Sequence, residues 1–255
     1  MKHYDIIGAR PYAEVRDDCH ALKQVGSPSD AAAVRCARRI AGGMDEKPHF
    51  LIPVPSHGGE ATDTLHLALA IAQAFNARFP AGTAPGVFAA VCNILTCDPH
   101  PPMLFAKHYG KEPEDIPIRV TRQDYMFIPK DLPLYLVDNV IDTGHTADAC
   151  LEALRGYNVA GIIAVGDTGA WKEDPEIEAA ATAVRRGQDS GTERDVNGEI
   201  LYGSGCLVRR ETAREAMPNA ILDVDRAGVF HRIRSDYELR TILRYLKGRD
   251  GALQF

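Results

Sequence analysis

The sequence has few aromatic residues, no long apolar run and no excess of positive charge. Aromatic side chains make up 7% of the 255 residues, and Trp171 is the single tryptophan. No segment approaches the roughly 20 apolar residues that a membrane-spanning helix needs, and residues 1–7 lack the apolar stretch of a secretion signal. We therefore expect a cytoplasmic protein with no membrane partner.

The charge balance argues against a nucleic-acid partner. Asp and Glu outnumber Lys and Arg by 35 to 29, which gives a net charge of −6. Non-specific binding to nucleic acid depends on many cationic side chains that displace counterions from phosphates. The C-terminal part is locally basic, a pattern that favours a solvated face over a partner surface. Its basic residues include Arg209, Arg210, Arg232, Arg234, Arg240 and Arg244.

The cysteines do not predict a disulfide framework. Six cysteines are scattered over 255 residues, whereas disulfide scaffolds are short chains dense in cysteine. A zinc cluster of Cys92, Cys97 and His100 is an alternative, but the spacing favours ordinary thiols beside a loop histidine. We therefore expect reduced thiols.

Strand-like and helix-like segments alternate through the middle of the chain. Apolar runs bounded by turn residues predict strands, and apolar residues at helical spacing predict helices. This alternation implies right-handed crossovers and a parallel sheet, on which ligands bind at the carboxyl ends of the strands. The predicted order is strand Phe50–Pro55, helix Leu65–Phe79, strand Val87–Leu95, strand Leu134–Val137, helix Thr146–Tyr157 and strand Val159–Val165.

The strongest local motif runs from Leu134 to Thr146. An apolar strand leads through acidic residues into a Thr-Gly-His-Thr turn and a helix. Gly144 lets the backbone approach an anion closely, and the amides of the helix N-terminus supply positive potential. Thr143 and Thr146 add hydroxyl donors, and Asp138 can accept hydrogen bonds from neighbouring hydroxyls. A phosphate joined to a vicinal diol, as in ribose 5-phosphate, fits this arrangement.

This segment resembles the phosphoribosyl pyrophosphate-binding motif of type I phosphoribosyltransferases. The resemblance implies an α/β fold with a mainly parallel sheet flanked by helices, that is, a phosphoribosyltransferase-like core with N- and C-terminal additions. The family motif has two adjacent acidic residues, whereas the second here is Asn139, which can hydrogen-bond a ribose hydroxyl but carries no negative charge. The implied ligand contacts in this segment are those of Asn139, Asp142, Thr143, Gly144, His145 and Thr146.

A second loop matches the family in its position. The residues Ser56, His57, Gly58 and Gly59 follow the first predicted strand, where the family holds pyrophosphate. The glycine amides can point at an anion, and His57 can add a proton or a charge.

The long stretch from Asp98 to Ile116 occupies the place of the mobile lid of the family. Lys107 is the residue of this stretch that we expect to reach pyrophosphate, with His108, Tyr109 and Lys111 as further candidates. Solvated loop residues are the alternative interpretation of all four.

The resemblance also implies a reaction. A nucleophile, usually a base nitrogen, displaces pyrophosphate from the anomeric carbon of the sugar through an oxocarbenium-like transition state. Asp138 and Asp142 are the implied catalytic residues, and Asp138 is the implied ligand of the cofactor, Mg²⁺. The implied substrates are phosphoribosyl pyrophosphate and an acceptor, for which a purine base is one candidate.

The acceptor stays open because two comparisons within the family diverge. Asp142 in Ile-Asp-Thr-Gly resembles the hypoxanthine-guanine enzymes, where an aspartate lies near the purine. Those enzymes read the base with a lysine after the following strand, and Lys172 is only a loose match. The segment from Ile52 to His57 instead resembles the competence-associated phosphoribosyltransferase-like proteins.

These observations divide the chain into three parts. Residues 50–170 form the phosphoribosyltransferase-like core, residues 1–49 an N-terminal segment that is a candidate hood, and residues 171–255 a C-terminal extension of unassigned role. We expect a homo-oligomer. The alternative function is a non-catalytic regulator that binds phosphoribosyl pyrophosphate or a nucleotide, and a phosphatase or phosphoribohydrolase is a weaker third hypothesis.

Overall fold

The computed structural model describes most of the chain, and it divides into two compact units. Unit 1 comprises Met1–His100 and Glu114–Lys172, and unit 2 comprises Pro101–Pro113 and Glu173–Phe255. The described residues are 5–80, 84–100, 117–121, 128, 132–169, 171–172, 174–189, 195–196, 200–201, 206–218, 220–234 and 236–251.

Unit 1 alternates strands with helices. Its elements are β1 (Ile6–Ile7), β2 (Arg10–Pro11), α1 (Tyr12–Leu22), α2 (Ala31–Gly42), β3 (His49–Pro53), α3 (Asp63–Asn76), β4 (Ala89–Val91), β5 (Leu95–Cys97), β6 (Ile118–Val120), β7 (Leu134–Ile141), α4 (His145–Ala153) and β8 (Val159–Asp167).

Six of these strands form one sheet in which every pairing is parallel. The order is β1-β8-β7-β3-β4, and β2 continues along the same edge of β8 as β1. Residues 6–42 therefore contribute two strands and two helices to unit 1 itself. The predicted α/β class, with a mainly parallel sheet flanked by helices, is confirmed.

The sheet is buried on both faces, which explains why its strands are almost continuously apolar. Successive residues of a strand point to opposite faces. Tyr135 and Val137 pack with the buried residues of α1, α2 and α3. Leu134 and Leu136 pack with those of α4 and β5 on the other side. All six cysteines are free and buried in the two units.

The direction in which the chain winds reverses between β3 and β7. After β3 the chain crosses through α3 to β4 on one side, and after β7 it crosses through α4 to β8 on the other. Because β3 and β7 are parallel neighbours, their carboxyl ends flank the crevice that this reversal opens. In open α/β sheets, such a switch point is where ligands bind.

Strand β7 is longer than the sequence predicts. Its pairing with β3 ends at Pro53 opposite Val137, but its pairing with β8 continues to Ile141 opposite Asp167. Residues 138–141 are thus held by β8 on one side and lie beyond the end of β3 on the other.

The predicted strand Val87–Leu95 is wrong in extent. The chain forms β4 beside β3, leaves the sheet after Cys92, and begins β5 at Leu95. Strand β5 pairs antiparallel with β6, outside the main sheet. The apolar run is continuous because β4 packs on one core of unit 1, through Ala89 and Val91, while Cys92, Ile94 and Leu95 pack on the other.

Unit 2 has its own core and an antiparallel sheet of order β12-β11-β10-β9. Helices α5 and α7 pack together, and Lys247 bridges Asp174 at 2.9 Å and Glu176 at 2.7 Å. In neither unit is a helix of the described residues long and apolar enough to cross a membrane. The elements are α5 (Pro175–Asp189), β9 (Asp195–Val196), β10 (Ile200–Leu201), β11 (Leu207–Arg209), α6 (Arg210–Ala216), β12 (Phe230–Arg232) and α7 (Asp236–Asp250).

Candidate functional site

Two loops emerge at the switch point, and they are named here by the strands that they follow. The β3 loop comprises residues 54–62, and the β7 loop comprises residues 142–144. The β7 loop leads directly into α4, whose N-cap is Gly144 in the left-handed conformation, with φ of 79°. A residue with a Cβ is strained at such a backbone position.

The first turn of α4 has no side-chain cap, and it contains one acidic residue, Asp148. Gly144 has no side chain, so no side-chain cap hydrogen bond is made at the helix start. The first amides of a helix have no partner within the helix and carry the positive end of its dipole. Thr143 and Thr146 are half-buried on either side of Gly144, and His145 is exposed. No hydrogen bond within the described part of the chain uses either threonine hydroxyl.

Asp138 lies on β7, three residues before the strand ends. One oxygen of its carboxylate accepts a hydrogen bond from the backbone N–H of Asn139 at 2.7 Å. Asn139 lies past Val137, the last residue of β7 that pairs with β3. Burial raises the pKa of Asp138 to about 6, and the nearby Asp63 acts in the same direction, while backbone N–H donors oppose both. A carboxyl group with a pKa near neutrality in a crevice is a candidate functional group.

Asp142, the first residue of the β7 loop, is tied to the end of β8. The hydroxyl of Thr168 donates to Asp142 Oδ1 at 2.8 Å, and the amide of Thr168 donates to the carbonyl of Ile141 at 3.0 Å. Asp142 therefore connects the β7 loop, of which it is the first residue, to the residues that follow β8.

The side chain of Asn139 lies between β7 and the start of α3, and it contacts Asp63. Its side chain is 5% exposed, and its amide nitrogen donates to Asp63 Oδ2 at 2.5 Å. Asp63 is the first residue of α3, directly after the β3 loop. The amide oxygen of Asn139 is buried and accepts no hydrogen bond within the described residues.

The β3 loop is closed by its own hydrogen bonds. Ser56 N donates to the Glu60 carbonyl at 3.1 Å, and Gly59 N donates to the Ser56 carbonyl at 2.9 Å. Gly58 N donates to Ser56 Oγ at 3.3 Å. The amides of both glycines therefore point within the loop. His57 and Gly58 are exposed at its tip.

The β3 loop is also fastened to its surroundings. Gly59 has φ of +105°, and a Cβ there would lie 2.9 Å from the carbonyl oxygen of Cys97. The Gly59 carbonyl accepts the amide of Cys97, and the His57 carbonyl accepts the amide of His100, both at 2.9 Å. Glycine is required at position 59 by a close backbone contact as well as by conformation.

The residues after β8 are fixed to the end of that strand, and they include Lys172, the loose match for a base-reading lysine, and Trp171, which the sequence did not identify. Trp171 Nε1 donates to Asp167 Oδ1 at 2.9 Å, and Lys172 Nζ lies 3.0 Å from the other oxygen of that carboxylate. The Lys172 ammonium lies 5.1 Å from the centroid of the Trp171 ring. The sequence feature that could have indicated these residues is the single tryptophan of the chain, Trp171, next to Lys172.

The remaining predicted residues are not placed. Lys107, His108, Tyr109 and Lys111 lie outside the described residues. Among the residues that the structure describes, no group of three or more His, Cys, Asp or Glu side chains is arranged to hold a metal ion by itself. A Mg²⁺ ion that takes further ligands from substrate phosphates needs only one or two carboxylates, and Asp138 supplies one at this edge.

Comparisons with known proteins do not assign the chain. No protein-family model matches it. No curated protein matches it significantly in sequence.

Proposed function

We propose that the chain is a phosphoribosyltransferase that transfers ribose 5-phosphate from phosphoribosyl pyrophosphate to a nitrogen of an acceptor. The observation that carries this proposal is the start of α4. There an uncapped helix N-terminus, formed on a left-handed glycine between two threonines, follows the acid-bearing strand β7 at the switch point. Amides at a helix start favour a phosphate, and Asp138 lies on the strand that leads to them.

The proposed reaction is a displacement at the anomeric carbon. The acceptor nitrogen forms a bond to that carbon, while the bond to pyrophosphate breaks and its electron pair leaves with the pyrophosphate oxygen. The nitrogen then loses its proton. Because positive charge builds up on the sugar in the transition state, an adjacent carboxylate favours that state over the ground state.

Asp138 fits the role beside the ribose. Its pKa of about 6 means that the group is mainly ionised at pH 7.5 and can accept hydrogen bonds from the sugar hydroxyls. A carboxylate oxygen is also a ligand that Mg²⁺ prefers, together with phosphate oxygens. When bound, Mg²⁺ neutralises charge on the leaving pyrophosphate.

Asp142 fits the role of proton acceptor. It lies in the β7 loop beside Thr168, at the edge where β7 and β8 end. A base whose nitrogen reaches the anomeric carbon would bring its proton towards this edge. Trp171 follows β8 at the same edge, and its ring offers an apolar face to a planar acceptor.

The test is a release assay for pyrophosphate. Purified protein is incubated with Mg²⁺, phosphoribosyl pyrophosphate and single nucleobases in turn, and the pyrophosphate formed is measured. We expect release that depends on one base or one class of bases. Release with no base present would indicate hydrolysis, and no release with any base would contradict the enzymatic proposal.

Two variants make the assay specific to the site. Asp138→Asn removes the carboxylate beside the ribose and should suppress release. Asp45→Asn removes a carboxylate that pairs with Lys47 in the segment leading into β3, at the amino ends of the strands, and should leave release unchanged. Equal effects of the two changes would assign the loss to net charge rather than to the site.

A second function is favoured by the hydrogen bonds of the β3 loop. Because the amides of Gly58 and Gly59 already donate within the loop, the pyrophosphate half of the donor meets a loop with few available donors. A regulator that binds a nucleoside monophosphate or ribose 5-phosphate needs only the β7 loop. Binding of such ligands, measured by calorimetry without any turnover, would support this alternative.

A further inference from the structure

The hydrogen bond between Asp63 and Asn139 joins the two loops of the site. Asp63 Oδ2 accepts from Asn139 Nδ2 at 2.5 Å across the gap between α3 and β7. The two residues are 76 positions apart in sequence, so the bond is a product of the fold. It lies where β7 has passed the end of β3 and no backbone ladder connects the two strands.

Each end of this bond is fixed to one of the loops. On one side, the Thr64 hydroxyl donates to the Val54 carbonyl at 2.7 Å and is buried, which ties the start of α3 to the first residue of the β3 loop. Asp63 therefore moves with that loop. On the other side, Asn139 belongs to β7, three residues before the β7 loop, and β7 is held there by β8.

The bond is buried at its Asn139 end, whereas Asp63 is half-buried. Asn139 is 5% exposed, and a hydrogen bond to a charged acceptor in such surroundings is stronger than one between neutral groups. Its amide oxygen has no partner within the described residues, so the side chain is held at this position through its nitrogen and Asp63.

We propose that Asp63 is a positioning residue that, through Asn139, holds the β3 loop and the β7 loop at the separation required by a ligand that occupies both. This inference rests on the proposed function, in which the phosphate of ribose 5-phosphate binds at the β7 loop. It adds that the pyrophosphate lies at the exposed tip of the β3 loop, beside the side chain of His57, since the amides of Gly58 and Gly59 donate within that loop. A ligand that spans two subsites gains affinity from the second contact only if the subsites are held at the matching distance.

The consequence is a difference between ligands. Phosphoribosyl pyrophosphate spans both loops, whereas ribose 5-phosphate occupies the β7 loop alone and pyrophosphate the β3 loop alone. Loss of the hydrogen bond should weaken the spanning ligand and leave the two fragments bound as before. A residue that merely stabilised the fold would not distinguish the three ligands.

The experiment is calorimetric titration of the full chain with each of these three ligands in the presence of Mg²⁺. In Asp63→Ala and in Asn139→Ala we expect the dissociation constant of phosphoribosyl pyrophosphate to rise about tenfold, with the constants of the two fragments changed less than about twofold. The double variant should be no weaker than either single variant, because both remove the same bond.

Asp63→Asn separates the hydrogen bond from the charge. The substituted side chain still presents an amide oxygen to Asn139 but carries no negative charge. We expect this variant to keep most of the affinity for phosphoribosyl pyrophosphate. Asp45→Ala, a loss of a carboxylate in the segment that precedes β3, serves as the control and should bind all three ligands as the unchanged protein does.

The outcomes separate this inference from the function on which it rests. If the unchanged protein binds neither ribose 5-phosphate nor phosphoribosyl pyrophosphate, the proposed function is wrong and the inference falls with it. If the unchanged protein binds them and Asp63→Ala weakens all three ligands equally, or none, the function stands and the positioning role is wrong. A loss of ribose 5-phosphate binding in Asn139→Ala alone would instead make Asn139 a direct ligand of the sugar.

Discussion

The β3 loop and the β7 loop lie at the same edge of one sheet, but they use their backbone amides differently. In the β3 loop the amides of Ser56, Gly58 and Gly59 donate to groups of the same loop. The β7 loop ends at Gly144, the N-cap of α4, and no side-chain cap hydrogen bond is made there. Both loops contain glycine, so glycine content alone does not measure the capacity to bind an anion. The hydrogen-bond partners of the amides decide it.

The largest effect that the comparison predicts concerns Asp138, on the strand that leads into the β7 loop. Asp138→Asn keeps an oxygen that can accept the amide of Asn139 but removes the negative charge that the proposed function places beside the sugar. We expect turnover to fall by about 10² to 10³, the range for loss of one preorganised electrostatic group. The measurement is the steady-state rate of pyrophosphate release, with Asp45→Asn as the matched control. An unchanged rate would contradict the proposal that the ribose binds beside Asp138.

The next effect concerns the contact between the two loops. Restoring the acidic pair of the motif by Asn139→Asp places a second carboxylate against Asp63, where the present contact is 2.5 Å. Two carboxylates in contact repel each other when both are ionised, and here one residue is buried and the other half-buried. We expect the free energy of unfolding to fall by about 1–3 kcal/mol at pH 8, and to recover as the pH is lowered and one carboxyl group takes up a proton.

The exchange of both side chains is the control for this prediction. The double variant Asp63→Asn and Asn139→Asp keeps one amide and one carboxylate in contact, so its stability should return close to that of the unchanged protein. Urea unfolding followed by the fluorescence of Trp171, the single tryptophan, reports on unit 1. A single variant as stable at pH 8 as at pH 5 would contradict the described contact.

The third prediction concerns the pH dependence of stability that the buried carboxyl group of Asp138 causes. The pKa of Asp138 is raised from 3.8 to about 6 in the folded protein, chiefly by burial. Between these pH values the folded state binds more protons than the unfolded state. The contribution of Asp138 to the free energy of unfolding therefore falls as the pH rises from about 4 to about 6, and it is constant at higher pH. The total change is about 3 kcal/mol at most, since one pKa unit is about 1.4 kcal/mol.

Asp138→Asn is the variant that isolates this contribution. Relative to the unchanged protein, it should gain stability between about pH 4 and about pH 6 and gain little more above that. Urea unfolding at four pH values in this range, with Asp45→Asn as control, measures the gain. A constant difference between the two proteins would mean that the carboxyl group of Asp138 titrates alike in the folded and unfolded states.

The smallest effects compare the side chains of the two loops directly. Replacing Thr143 and Thr146 together by Val should raise the dissociation constant of ribose 5-phosphate about 30-fold, because two hydrogen bonds contribute about 1 kcal/mol each. His57→Ala, at the exposed tip of the β3 loop, should change this dissociation constant less than about threefold. Thr182→Val, on α5 of unit 2, is the control for loss of a hydroxyl. A larger effect of His57→Ala than of the threonine pair would reverse the comparison.

The alternation of strands and helices in the main sheet from β3 to β8 was predictable because it depends on local periodicity. The buried run from Leu134 predicts a strand, and the alternation with helices predicts a parallel sheet. The ends of elements were less predictable. Strand β7 continues to Ile141 because β8 continues beside it, and α5 continues to Asp189, through a polar segment that by itself suggests a loop from Arg185.

The candidate site was predictable in part for the same reason. The β7 loop is one continuous segment, so its glycine, its threonines and the following helix are all visible in the sequence. Asp63 was not identified, because its importance comes from a partner 76 residues away. The internal hydrogen bonds of the β3 loop also escaped prediction, since Ser-His-Gly-Gly is equally compatible with amides that point outward.

Local sequence was enough to predict the α/β class of the protein, the strand and turn that bear Asp138 and Gly144, and the absence of a second acid beside Asp138. These features depend on residues close together in the chain, whose spacing fixes local conformation. Only the tertiary structure decided that β3 and β7 are neighbours at a switch point, that Asn139 turns to Asp63, and that Asp138 is buried enough for its pKa to approach 6. Each of these depends on which distant segments pack together, and the spacing of residues within one segment does not predict such packing.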